Sequence, residues 1–436
     1  MSEVLALYRH VRRAGSARYH RVTMSIYELE RNNDREGLAD ALLTAENTSV
    51  RRQAAKALGE LDTNESRDPR GTQRMLEALR TAIIDDPDES VRTMAVIALE
   101  QHGSNELRKV ISELTDRPIS SIDSRIYGAL STNERPEIRM LSMAALGQDS
   151  ALGSADLVIK ALDDPNHRVR ERAIEATANL GLGRAEPKLI EALDDEATGV
   201  RAVAATALGN LNLGSAVDAL VEATDDPNDS VRLSALESLA NLGSPKAIEP
   251  LAVALQSRSD AMSRHAIYGL LELLTNVSGS ASQQLRDRVK TVVEGAPKTM
   301  VVDTLIELID DMQRVGQRRN AVWLLSQLIE DEPTEDAIVA LSQLVGDEDE
   351  QTSKLATNAL VRCEGAMVER LVRQQLESVH PDDPAAGQLA YVLGRIGSNR
   401  SIDRLEQTLD STDDDSVRKE VVSALNRLDV GRGAYG

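Results

Sequence analysis

The chain has 436 residues, of which 71 are Asp or Glu and 50 are Lys or Arg, for a net charge of −21. So acidic a surface works against non-specific nucleic-acid binding, because phosphate contacts need cationic side chains and weaken steeply with salt. A single Cys363 excludes an internal disulfide, and no run approaches the roughly 18 consecutive apolar residues of a membrane-spanning helix, so a cytoplasmic protein without membrane insertion is expected.

Only nine of the 50 bases are Lys, and Phe is absent. An acidic, arginine-rich chain poor in large apolar residues has the composition expected of a salt-in halophile, whose carboxylates keep the surface hydrated at molar salt. Residues 1–31 run the other way. Six Arg against three Glu leave this segment at +3 and the remainder at −24, and RHVRRAGSARYHR concentrates the bases. A basic helical arm of this kind can dock an acidic partner. Alternatively, Met24 and the Ser-Ile-Tyr-Glu-Leu-Glu that follows it read as a natural start, which makes residues 1–23 an upstream extension.

Residues 32–275 read as a first repeat array. Its centre, Gly153–Gly243, repeats with a period of 31 residues carried by Arg170, Arg201 and Arg232. The copies are DDPNHRVRERAIEATANLG from Asp163, DDEATGVRAVAATALGNLN from Asp194 and DDPNDSVRLSALESLANLG from Asp225. Counting from the Arg as zero, apolar or small residues fall at −1, +3, +6, +7 and +10, one stripe at helical period. Each copy is preceded by a shorter apolar-periodic segment, so the unit is two helices and two turns. Asp164 and Asp226, each before a proline, are expected as N-caps, and Gly181 and Gly243 as the residues that close the helix. A hairpin with one buried stripe cannot fold alone, so neighbouring copies must stack.

The same zero position falls at Arg51, Arg92, Arg139, Arg170, Arg201, Arg232, Arg264 and Arg318, then at Ser353 and Ala386, and last at Arg418, making eleven units. The longest gap, 54 residues between Arg264 and Arg318, is read as an insertion or joint over 276–297 with an additional helix. A second array then runs over 298–436.

The DDPxxxVRxxAxxAL pattern resembles HEAT repeats of the phycobilisome-lyase-like class, and the resemblance covers nearly the whole chain. It implies an all-α α-solenoid, a right-handed superhelix of about eleven HEAT-like hairpins. It says little about activity, because that repeat serves lyases, hydroxylases, DNA-binding enzymes and interaction scaffolds alike. The hydroxylase-like members hold iron with repeated His-Glu pairs. Here none of the six His is followed by Glu, and no metal-ligand spacing, HExxH, P-loop, GxGxxG or GxSxG is present, so no cofactor, metal or catalytic residue is assigned.

Two sets of residues stand out. An Asp lies six positions before the Arg at Asp86/Arg92, Asp164/Arg170, Asp195/Arg201 and Asp226/Arg232, and is read as a structural ladder of arginine forks bonded to carboxylates and inter-helix carbonyls. Positions +1, +5 and +8 lie opposite the apolar stripe. In the central copies they hold Glu171, Glu175, Glu237, Ala178, Gly209 and Ala240; further on they hold Arg319, Trp323, Lys354, Asn358 and Tyr391, the candidate protein-binding residues. Position +9 runs Asn179, Asn210, Asn241 and later Arg362, Arg395, Arg427, and is read as helix-end capping. The segment MSIYELERNNDREGLADALL with TSVRRQAAKALGEL is also similar to the HEAT-repeat taxis proteins of halophilic archaea. That similarity implies a non-catalytic scaffold linking chemotaxis proteins to the archaellum motor. The enzyme alternative is a lyase-like activity on a bilin or other prosthetic group.

Overall fold

The computed structural model describes residues 25–61, 68–148, 155–257, 259–277, 281–363 and 365–433. The basic residues before Ser25 lie outside the described residues, as does part of the stretch from Asn276 to Ser282. All regular structure among the described residues is helical.

By internal contacts the chain divides into two compact units, Met1–Leu211 and Asn212–Gly436. In the first, the helices are α1 Ile26–Arg31, α2 Arg35–Thr44, α3 Thr48–Glu60, α4 Pro69–Asp85, α5 Glu89–Glu100 and α6 Ser104–Thr115. They continue with α7 Ser124–Leu130, α8 Pro136–Gly147, α9 Ala155–Ala161, α10 His167–Asn179, α11 Glu186–Glu191 and α12 Thr198–Asn210. Five hairpins result, each ending in one of α3, α5, α8, α10 and α12, and these second helices pack on one another in succession. The extra helix α6 packs on α4, α5 and α8, which accounts for the long spacing between Arg92 and Arg139.

The second unit contains α13 Val217–Ala223, α14 Asp229–Asn241, α15 Ile248–Leu255, α16 Asp260–Asn276, α17 Ala281–Glu294, α18 Lys298–Asp311 and α19 Val315–Leu328. After these come α20 Glu335–Leu344, α21 Glu350–Arg362, α22 Ala366–Ser378, α23 Pro384–Ile396, α24 Ile402–Ser411 and α25 Asp415–Gly433. Six hairpins stack through their second helices α14, α16, α19, α21, α23 and α25, and α17 is the additional helix. With the five of the first unit this makes eleven HEAT-like hairpins in an α-solenoid.

The repeat forms helices where the stripe predicts, and buries them more widely. In α10, Val169, Ala173, Ile174 and Ala176 are buried, and in α14 Val231, Ala235, Leu236 and Leu239. The +4 residue, absent from the expected stripe, is buried because each second helix is covered both by its own partner and by its neighbours in the row. A leucine at +7, fully buried at Leu58, Leu208 and Leu239, contributes about 1.5–3 kcal/mol. Gly181 and Gly243 close their helices with φ of 65° and 63°, the left-handed conformation in which an L side chain is strained.

The expected N-caps are corrected. Helix α10 begins at His167, and its cap is Asn166, whose carboxamide oxygen accepts from Arg168 N at 2.9 Å. Likewise Asn228 caps α14 through Ser230 N at 2.9 Å. Asp164 and Asp226 each sit two residues upstream and accept instead from the N–H of Asn166 and Asn228.

Cys363 is buried, with its thiol 3.8 Å from the carbonyl of Ile329, and burial pushes its pKa up to about 11. Since the thiolate is the nucleophile, a maleimide at pH 7 is expected to label the folded chain negligibly and the denatured chain within minutes. Rapid native labelling would show the site to be open.

Candidate protein-binding surface

The repeated arginines form a series of inter-repeat locks. Arg170 donates from Nε and Nη2 to both carboxylate oxygens of Asp195, each at 2.7 Å, and from Nη1 to the carbonyls of Asp164 at 2.8 Å and Pro165 at 3.3 Å. Arg139 clasps Asp164 with the same fork at 2.7 and 2.7 Å, and Arg51 clasps Asp86 at 2.8 and 3.2 Å. In every case the carboxylate belongs to the following repeat. Each arginine thus closes its own inter-helix turn through Nη1 and ties the next repeat through Nε and Nη2. Arg92 meets Glu137 in place of an aspartate, across the insertion of α6. Arg201 donates to the carbonyl of Asp195 at 2.8 Å and Arg232 to that of Asp226 at 2.8 Å. In the second unit Arg318 reaches Asp347 with one arm, donating from Nη2 to Oδ1 at 3.1 Å, and closes its own turn from Nη1 to the carbonyl of Met312 at 3.1 Å.

The candidate binding residues lie on α19, α21 and α23, consecutive second helices of the second unit. Trp323 is half-buried, and the guanidinium of Arg286, from the additional helix α17, lies 4.8 Å over its ring centroid. Arg286 also donates to Asn320 Oδ1 at 3.0 Å. Tyr391 is half-buried beneath Arg427 of α25, 5.1 Å from its ring. Lys354 and Asn358 are exposed, Lys354 pairing with Glu350 on its own helix. Arg319 is half-buried and forked onto Asp349, with Nε–Oδ2 at 2.6 Å. The row is therefore two arginine-capped aromatics with polar residues between them. Sequence spacing could place the aromatics on a common face, but not the arginines, which come from an inserted helix and from the last repeat.

The +8 positions behave differently. Gly209 and Ala240 are buried, so this position is where neighbouring second helices touch, and the expectation of an open surface there is corrected. At +9, Asn179, Asn210 and Asn241 are exposed.

Asp349 caps α21 through Thr352 N at 2.9 Å while receiving the Arg319 fork. That guanidinium first, and the hydroxyl and N–H of Thr352 next, hold its carboxyl well below the usual carboxylate range against the opposing effect of burial. A carboxyl depressed in the folded state contributes stability that is present above its unfolded value, about 3.9, and lost as pH falls below it. The stability difference between the wild type and Asp349→Asn is thus expected to be largest at neutral pH and to shrink towards pH 3 in denaturation curves. A difference independent of pH would contradict this assignment.

Next to the aromatic row is a polar network that the sequence did not signal. The buried Glu272 accepts from Arg314 Nη1 at 2.7 Å, from Asn276 Nδ2 at 3.0 Å and from Gln317 Nε2, and Gln317 also donates to Tyr268 OH at 3.2 Å. It borders a cavity of about 240 Å³ lined by Glu237, Asn241, Arg264, His265 and Tyr268. No group of three or more His, Cys, Asp or Glu among the described residues is placed to hold a metal ion. No helix among them is long and apolar enough to cross a membrane.

Stacked helical hairpins, locked by arginine forks and presenting rows of second helices, define an α-solenoid of the HEAT type. The chain belongs to the HEAT repeats family, which it matches over residues 35–125, 186–272 and 338–426. It is 40% identical over 408 residues to a HEAT repeat-containing taxis protein of Halobacterium salinarum, a similarity covering 93% of this chain and 98% of that protein. Among solved structures it is similar to an engineered protein at 18% identity, covering 91% of this chain and 99% of that one with a TM-score of 0.39. A chain from a structure of Kap95p with RanGDP matches at 14% identity over 92% of this chain and 58% of its own length, with a TM-score of 0.34.

Proposed function

We propose that this chain is a non-catalytic interaction scaffold of taxis in the cytoplasm of a halophilic archaeon, connecting chemotaxis signalling proteins to the archaellum motor. The observation that carries this reading is the near full-length similarity to a haloarchaeal protein named for taxis. The surface of α19, α21 and α23 supports it. Trp and Arg are favoured anchors of protein interfaces, and an arginine stacked on an aromatic ring holds both in place before a partner arrives.

Replacing Trp323 by Ala is expected to weaken binding of a chemotaxis or motor protein by about 2 kcal/mol or more, roughly thirtyfold. Because the ring is half-buried under Arg286, the variant also loses more stability than the about 0.5 kcal/mol of an ordinary surface substitution. Affinity is therefore compared per folded molecule, by calorimetric titration beside a melting curve. Unchanged affinity in the folded fraction would place the interface elsewhere.

A further inference from the structure

In the first unit, the second helices α5, α8, α10 and α12 line a cleft of about 430 Å³. Four carboxamides border it: Gln101, Gln148, Asn179 and Asn210. Each stands at position +9 of its own repeat, nine residues after Arg92, Arg139, Arg170 and Arg201. All four are exposed, and none of their side chains is hydrogen-bonded to another described residue, so helix-end capping does not occupy them. Between these rungs the wall is built of small residues such as Ala178, Thr206 and Ala207, which leaves room for a backbone to come close.

The geometry points to this cleft as a docking groove for an extended peptide segment of a partner protein, its main chain held by the carboxamide ladder and a basic side chain held by Glu175. A carboxamide offers both a donor and an acceptor, the complement of a peptide unit. A docked helix has already satisfied its own backbone and has no use for such a ladder, whereas an extended chain has N–H and C=O groups to pair. Helices pack about 8–10 Å apart and an extended chain rises about 3.3 Å per residue. One rung therefore serves about three residues, and four rungs about nine.

Charge selects the side chain. Arg172 of α10 reaches across to α5, its Nε lying 3.2 Å from Glu100 Oε2, and it also pairs with Glu175. Two carboxylates on one guanidinium leave a net negative charge in the groove. Glu100 Oε2 is buried against Arg172, whereas Glu175 is half-exposed and lines the cleft. A second cation from a partner would pair with Glu175, while an acidic side chain would be repelled.

The test uses the full chain at a KCl concentration that preserves its helical circular-dichroism signal. Three fluorescent nonapeptide pools are titrated by anisotropy, each randomised except for a central Arg, Ala or Glu. The Arg pool is expected to bind at least about tenfold more tightly than the Glu pool, and an Arg pool with N-methylated backbone to lose that advantage. Asn179→Ala combined with Asn210→Ala should weaken binding about tenfold with the melting temperature unchanged, and Glu175→Gln should reduce the preference for Arg. Equal binding of the Arg and Glu pools, or full binding by the double variant, would overturn the proposal. Trp323→Ala, in the other unit, is expected to leave this binding intact, so the fate of the groove is read separately from that of the taxis surface.

Discussion

Replacing Arg170 by Ala is expected to destabilise the first unit by about 3 kcal/mol or more, the largest effect anticipated for any single side chain outside the apolar core. The guanidinium and the Asp195 carboxylate are only 11% and 12% exposed, and the arginine also satisfies the carbonyls of Asp164 and Pro165. Its removal leaves a largely buried carboxylate with one N–H donor, from Ala197, and two carbonyls short of theirs. Because this lock ties the repeat of α10 to that of α12, the damage falls on one inter-repeat contact and lowers the cooperativity of unfolding as well as the midpoint. Asp195→Asn should cost less, since a neutral acceptor remains. A double-mutant cycle between the two positions should return a coupling above about 1 kcal/mol. A coupling near zero would mean that apolar stacking alone holds the repeats in register.

The second large effect is expected at Gly394. A Cβ built there would lie 2.7 Å from both Cα and Cβ of Ala424, so α23 and α25 cross with backbone nearly in contact. Gly394→Ala should therefore cost about 1–3 kcal/mol through overpacking, despite the better helix propensity of alanine. The paired change Gly394→Ala with Ala424→Gly should recover only part of that loss, because it removes the clash with the methyl group of residue 424 and leaves the one with its Cα. Gly59 against Ala98, at 2.7 Å, and Gly147 against Ala176, at 2.9 Å, are the same contact in the first unit. A neutral or stabilising Gly394→Ala would show that the helices can separate without penalty.

The fold was legible because a 31-residue register repeats one hydrophobic stripe, and stripe, turn and length together leave few alternatives to stacked hairpins. Details that depend on the neighbouring copy were not. Asp164 looks like an N-cap within its own repeat, yet the preceding repeat's Arg139 recruits it, and Asn166 caps the helix instead. Position +8 faces away from its own hairpin partner, but it faces the adjacent second helix, which is why glycine and alanine occur there. Trp323 and Tyr391 could be placed on one row from their spacing. The arginines above them could not, since Arg286 sits on an inserted helix with no counterpart in the repeat. Glu272 and its network were invisible because its partners come partly from the following repeat, on α19 and its approach.

The most direct test of the scaffold reading is affinity capture from a haloarchaeal lysate at molar KCl, with wild-type and Trp323→Ala chains as paired baits and captured proteins quantified by mass spectrometry. The account predicts that chemotaxis or archaellum motor proteins are enriched on the wild type and lost from the folded variant. Recovery of the same proteins on both baits, or of a co-purifying chromophore with no taxis protein, would contradict it.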